Sequence, residues 1–199
     1  MKKILVLILF FVSLFIDSWA QTEVALQLPS NFMATALLKN QGRVRHIAIA
    51  PNGNLFLKLE KLRDGAGIIL WKDKNHDGVY EDSLLFGSYI GTGIAIKDHY
   101  LYASSNNALF RYKLDENFTP VSPTNPERIV IGLVDKGQHA SKSITLDNKG
   151  YIYVNIGAPS NICQVEDRKA GSPGRMPCPI LDSAGGIWRF STDAINQTY

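Results

Sequence analysis

Three stretches of this chain read alike, and their spacing limits the folds open to it. They are His46-Ile-Ala-Ile-Ala-Pro-Asn-Gly-Asn-Leu-Phe-Leu-Lys58, Gly93-Ile-Ala-Ile-Lys-Asp-His-Tyr-Leu-Tyr-Ala103 and Ser143-Ile-Thr-Leu-Asp-Asn-Lys-Gly-Tyr-Ile-Tyr-Val154. Each alternates apolar and other residues, breaks at a turn, and alternates again. The turns carry Asn52-Gly53, Asp98-His99 and Lys149-Gly150, the residue types that hairpins need for positive φ. With Ile47, Ile94 and Ile144 as equivalents, the offsets are 47 and 50 residues. Further strands are expected over Gly67–Trp71, Ala108–Leu114 and Gly186–Phe190, and no long helical period is present.

Hairpins recurring every 40–50 residues are the signature of a β-propeller, whose four-stranded blades bury their faces by stacking around a channel. The alternative all-β reading is a β-sandwich of unrelated hairpins. The register shared by all three hairpins favours the propeller. Residues 21–199 hold about three and a half blades, and closure needs at least ~4. The expectation is therefore the N-terminal half of a longer propeller, with residues 21–199 as one partial domain.

Residues 1–20 read as a signal peptide. Lys2 and Lys3 precede an apolar run, Ile4 to Ile16, and Ser18-Trp19-Ala20 offers small residues for cleavage. A membrane anchor is the rival reading, but the run is short of the ~20 residues of a span. The mature chain is thus expected in the periplasm or outside the cell, with no membrane span after cleavage. Cys163 and Cys178 are the only cysteines, 15 residues apart. In an oxidising compartment such a pair predicts a disulfide. A zinc site would need more ligands, and no histidine lies between 140 and 199. A net charge of +3 with no basic stripe gives no nucleic-acid footprint.

Four histidines are available for chemistry: His46, His76, His99 and His139. His46 begins a repeat strand, His99 is a turn residue and His76 lies in an acidic loop. His139 stands in Lys136-Gly-Gln-His-Ala-Ser141, just before the first strand of the third repeat. In a propeller such loops open onto one end of the channel, where a histidine can serve as a general base. The segment Asp73-Lys-Asn-His-Asp-Gly-Val-Tyr-Glu-Asp82 places Asp73, Asn75 and Asp77 at alternating positions before Gly78, as a calcium loop does. Its twelfth position is Leu84 rather than Glu, and an Asx-rich turn is the competing reading. Walker loops, Gly-x-Gly-x-x-Gly, Gly-x-Ser-x-Gly and His-Glu-x-x-His are all missing from the sequence.

From about Gly42 to Gln197 the chain resembles the glucose/sorbosone dehydrogenase family. The resemblance rests on His46–Gly53, Trp71-Lys-Asp with Asp77-Gly78, and Gly137-Gln-His139 with Asp147–Val154. It also rests on Ile156-Gly-Ala-Pro-Ser-Asn-Ile-Cys163, Gly171-Ser-Pro-Gly with Pro177-Cys178-Pro, and Gly185-Gly-Ile-Trp-Arg-Phe190. The last three look like the sorbosone-type branch. The resemblance implies a six-bladed propeller that uses pyrroloquinoline quinone (PQQ) and Ca²⁺ to oxidise a sugar, sugar aldehyde or related alcohol. It also implies an electron acceptor such as a c-type cytochrome. His139 matches the family's catalytic base. His139, Arg45 and Lys142 are the residues expected to meet the cofactor at the channel mouth. Two positions depart from the pattern: Ser143 stands where the family often has Arg, and Ala158 where the glucose branch has an acid. The family's Arg-Asn pair and the carbonyls that hold the cofactor's Ca²⁺ belong to a later blade. A non-catalytic propeller that binds a carbohydrate or protein is the alternative function, and a Ca²⁺-dependent propeller lactonase a third.

Overall fold

The structure is a computed structural model that describes residues 26–198. The signal-peptide segment lies outside the described residues. Residues 26–36 belong to a separate unit, in which Phe32 N–H donates to Pro29 O at 3.1 Å to close a turn. Leu37 and the residues after it form the other unit.

Alternating sequence becomes antiparallel sheet, as expected. The first sheet runs β1 (Val44–Ile49), β2 (Leu55–Arg63), β3 (Ala66–Lys72) and β4 (Asp82–Phe86) in sequential order. The second runs β5 (Ile94–Lys97), β6 (Tyr100–Ser104), β7 (Ala108–Lys113) and β8 (Glu127–Ile131). The third pairs β9 (Ile144–Leu146), β10 (Tyr151–Ile156) and β11 (Gly186–Ser191). The three opening strands are the ones named by the repeat. Ile47 faces Leu57, Ile94 faces Ala103, and Ile144 faces Val154.

The three hairpins differ in their turns. Between β5 and β6 the turn has only two residues, Asp98 (φ 48°) and His99 (φ 57°), both left-handed as that tight hairpin requires. The other two hairpins use a longer turn in which only the glycine is left-handed, Gly53 (φ 87°) or Gly150 (φ 82°). Asp147 stabilises one of these, its Oδ1 accepting from Lys149 N at 2.8 Å and Tyr151 N at 3.0 Å.

The sheets bury their faces against one another, as blades do. Phe56, Ile68, Leu70 and Phe86 of the first sheet pack against Ile94, Leu101, Ala103 and Tyr112 of the second. On the other face of the second sheet, Tyr102, Leu109, Ile129 and Val130 pack against Ile152, Val154, Ile156 and Phe190 of the third. In β6 the alternation is literal: Leu101 and Ala103 face one neighbour and Tyr102 the other. Burying each such side chain contributes roughly 1.5–3 kcal/mol. The fold is all-β, three stacked antiparallel sheets of a partial β-propeller.

Close approach of the blades needs residues without a Cβ. A Cβ on Gly67 would stand 1.9 Å from Tyr89 O, and one on Gly93 2.6 Å from Lys142 O. Lys58 is fully buried at the first of these junctions. Its Nζ donates to Tyr89 O at 2.8 Å and lies 4.3 Å from the Tyr89 ring centre. Burial pushes its pKa down to about 7.

Candidate functional site

The His139 loop connects the second blade to β9, the inner strand of the third, and its position is fixed by contacts on both sides. On one side Ser104, fully buried at the end of β6, donates its hydroxyl to Lys142 O at 2.7 Å. The same oxygen accepts from Gly93 N at 2.8 Å, so the entry to β5, the end of β6 and the entry to β9 share one hydroxyl. On the other side the loop rests on Gly157, which follows β10 directly. A Cβ built on Gly157 would lie 2.4 Å from His139 Cβ and 2.8 Å from His139 O. His139 itself has φ 56°, a left-handed conformation uncommon for a residue with a Cβ. Its side chain is exposed.

A third support comes from the segment between the cysteines. Cys163 and Cys178 are bonded, with Cα atoms 6.0 Å apart, as their spacing predicted. The segment they close is folded on itself: Arg175 N donates to Cys163 O at 2.9 Å, and Gln164 Nε2 to Lys169 O at 3.0 Å. From it, Asp167 Oδ2 accepts from Gln138 Nε2 at 2.6 Å, and the Arg168 guanidinium donates to Gln138 Oε1. The side chain preceding His139 is thus held at both ends.

The other sequence-predicted residues are distributed differently. Lys142 shares the His139 loop but is fully buried, and its ammonium donates to Ala140 O. Burial lowers its pKa, with Asp135 acting in the opposite direction. Arg45 is exposed on β1 of the first sheet, where Glu60 lies 3.7 Å from it and also pairs with Arg43 at 3.2 Å. Its ion partner is Glu60 rather than anything on the His139 loop. His46 is exposed on β1, and His99 stacks on Phe118 with ring centres 4.7 Å apart.

The acidic loop gathers oxygen atoms, with Asp73, Asp77 and Glu81 each offering one within 4.8 Å of the others. Those oxygens already have partners. Asp73 accepts from Asp77 N at 3.1 Å and Gly78 N at 2.9 Å, and Asn75 Oδ1 from Asp77 N at 3.1 Å. Asp77 accepts from Val79 N at 2.8 Å and Glu81 from Lys74 N at 3.0 Å. These contacts are those of an Asx-rich turn. A cleft of about 720 Å³ opens elsewhere, between the first two blades, lined by Phe86, Tyr89, Phe110 and Arg128 among others. None of the predicted site residues lines it.

Gly157 and Gln138 stand in segments that carry the family resemblance, Ile156–Cys163 and Gly137–His139, but nothing in the sequence pairs Gly157 with His139 or Gln138 with Asp167 and Arg168. Only the tertiary pairing brings them to His139.

The scaffold is a stack of propeller blades with an exposed imidazole on the loop that leads into an inner strand. The TrAA12-like family profile matches residues 26–174, three-quarters of the chain, and the chain belongs to that family. Three solved structures share its fold. The holo PQQ domain of pyranose dehydrogenase from Coprinopsis cinerea has 20% identity and a TM-score of 0.61, over 81% of this chain and 37% of that one. The Trichoderma reesei carbohydrate-active enzyme of family AA12 has 18% identity in each of two structures. Its iodide structure has a TM-score of 0.59 over 83% of this chain and 39% of that one. Its calcium structure has a TM-score of 0.57 over 83% and 40%. The chain therefore spans about two-fifths of the length of these proteins. No curated protein sequence matches it.

Proposed function

We propose that the chain supplies the first blades of an exported PQQ-dependent dehydrogenase that oxidises a sugar, sugar aldehyde or related alcohol, with His139 as its general base. Membership of the TrAA12-like family and a fold shared with the PQQ domain of a pyranose dehydrogenase support the class. The observation that carries the residue assignment is the anchoring of His139: an exposed imidazole on a loop held by Gly157, Ser104 and Gln138. The disulfide fits an oxidising compartment and so an exported protein. A calcium structure of a family AA12 enzyme supports Ca²⁺ as the accompanying ion. The sorbosone-type assignment rests on the segments Ile156–Cys163, Gly171-Ser-Pro-Gly with Pro177-Cys178-Pro, and Gly185–Phe190. The c-type cytochrome acceptor rests on the resemblance alone.

An exposed imidazole fixed on the channel rim fits the proton-accepting part of a quinone site. The quinone, when bound, supplies a two-electron acceptor for the substrate's hydride. His139 takes the hydroxyl proton on a ring nitrogen, so that negative charge builds on the substrate oxygen as the C–H bond breaks. The rigid loop holds that nitrogen in line and limits the reorganisation needed at reaction. Lys142, buried with its ammonium on Ala140 O, acts on this reading through the loop's conformation; Arg45 is the outward-facing candidate for cofactor contact.

A second reading, a non-catalytic propeller presenting this rim to a carbohydrate or protein, is favoured by Ser143 and Ala158. Neither supplies the charge that a dehydrogenase of this kind often places there. Titration of the full-length apoprotein with PQQ and Ca²⁺ separates the two. Uptake of the quinone, with an absorbance change on adding sugar, supports the dehydrogenase. An unperturbed quinone spectrum supports the binding module.

A further inference from the structure

Gly157 stands in the Ile156–Cys163 motif with no role of its own assigned there, yet its backbone is in contact with His139. The space above its Cα is filled by the Cβ and carbonyl oxygen of His139 at 2.4 and 2.8 Å from where a side chain would begin. Real Cβ atoms do not approach backbone or Cβ atoms so closely. The obstructing atoms belong to the rigid part of His139, so rotating the imidazole does not relieve the collision. The two residues also differ in freedom to move. Gly157 follows β10, whose Ile152, Val154 and Ile156 are fully buried and whose register with β11 runs unbroken from Tyr151 to Ile156. The His139 loop has no ladder of its own, and His139 sits at φ 56°. When the two compete for space, the loop yields.

We infer that Gly157 is a positioning residue for His139: its missing side chain is what lets the His139 backbone settle against the end of β10 and aim the imidazole outward. The inference rests on the reading of His139 as the base for its catalytic consequence, but not for the contact itself. Any residue with a Cβ at position 157 lifts the loop, and the imidazole moves with it. Displacing a catalytic group by about 1 Å from its productive geometry can cost about a hundredfold in turnover. Substrate binding that does not involve the imidazole changes much less.

The test uses the full-length protein and three variants: Gly157→Ala, His139→Ala, and Gly174→Ala as a control. Gly174 lies in the disulfide segment and would meet only Ile162 O, at 3.4 Å. The first readout is independent of cofactor and substrate. Imidazole resonances are followed by NMR, with the His139 signal assigned by its disappearance in His139→Ala. Gly157→Ala is expected to shift that signal while Gly174→Ala leaves it in place. The second readout is dye reduction by the protein reconstituted with PQQ and Ca²⁺. There Gly157→Ala lowers kcat about a hundredfold with KM little changed, and has no further effect when His139 is already alanine. A folded Gly157→Ala variant with an unmoved His139 signal overturns the inference. If His139→Ala leaves turnover unaltered while Gly157→Ala still moves the His139 signal, the catalytic reading fails and the positioning contact stands. If Gly157→Ala does not fold, the double variant with His139→Gly, which deletes the colliding Cβ and gives the backbone at 139 the freedom to carry its carbonyl oxygen away, is expected to recover folded protein. Failure of that recovery also overturns it.

Discussion

Ser104 and Lys142 are 38 residues apart in sequence, and a single buried hydroxyl joins them, Ser104 Oγ donating to Lys142 O at 2.7 Å. Gly93 N donates to Ser104 Oγ at 2.8 Å, so the one hydroxyl both donates and accepts across the junction. It ties the inner strands of the second and third blades together three residues from His139. Ser104→Ala strands both the Gly93 amide and the Lys142 carbonyl in a buried place. The expected loss is about 1–3 kcal/mol of unfolding free energy, measured by chemical denaturation. A loss below about 0.5 kcal/mol, the scale of an ordinary surface change, means that the junction relaxes around the deletion.

Lys58 sets a pH dependence whose sign is definite. Folding holds its pKa at about 7, against roughly 10.4 in an unfolded chain. Between those values the unfolded state carries a proton that the folded state does not, so stability rises with pH through that window. Below about pH 7 both states are protonated and the penalty for burying the charge is fully present. The neighbouring Tyr112 hydroxyl, pushed up to about 12, does not titrate within the window. Unfolding free energy measured from pH 6 to 10 should therefore climb, and Lys58→Met should flatten the climb. An identical slope in the variant assigns the dependence to other groups.

The disulfide closes a segment that supplies both contacts to Gln138. For cysteines 15 residues apart the loss of loop-closure constraint corresponds to about 3 kcal/mol. The variant with both cysteines changed to serine should lose stability on that scale. Turnover of the reconstituted full-length enzyme should fall as well, because Asp167 and Arg168 no longer hold the residue before His139. Full activity in a destabilised double-serine variant would confine the segment to a structural part.

Gly67 marks the tightest approach between the first blade and the segment that leaves it. Gly67→Ala places a methyl group 1.9 Å from Tyr89 O and disturbs the carbonyl that accepts from Lys58. We expect a loss of several kcal/mol, or no folded protein, by thermal unfolding. Gly174→Ala, whose methyl group would meet only Ile162 O at 3.4 Å, should stay within about 0.5 kcal/mol of the parent.

Much of the architecture was legible in the order of residues, for a physical reason. A hairpin strand with one face against each neighbour must alternate, and its turn must supply a left-handed residue. Ile47, Ile94 and Ile144 therefore announced the inner strands, and Asp98-His99 the two-residue turn. The outer strands β4 and β8 were not announced. They are short and half exposed, and Asp82 and Glu127 at their starts read as loop. Lys58 was equally silent. In Leu55-Phe-Leu-Lys-Leu an alternating strand suggests a solvated face for lysine, but β2 is covered on both faces and the ammonium meets a carbonyl instead. At the site, the loop and His139 were visible as a motif, and the disulfide as a spacing. Gly157, 18 residues downstream of His139, was not, since its contact exists only once β10 is in place.

The central claim is that His139 is the proton-accepting residue of a quinone-dependent dehydrogenase. Its most direct test is turnover of the full-length protein and its His139→Ala variant, each reconstituted with PQQ and Ca²⁺ and shown by absorbance titration to carry the quinone. The account predicts sugar-dependent dye reduction by the parent and a kcat lower by about two orders of magnitude or more in the variant, at equal quinone content. Equal turnover in the two, or a parent that takes up no quinone, would contradict it.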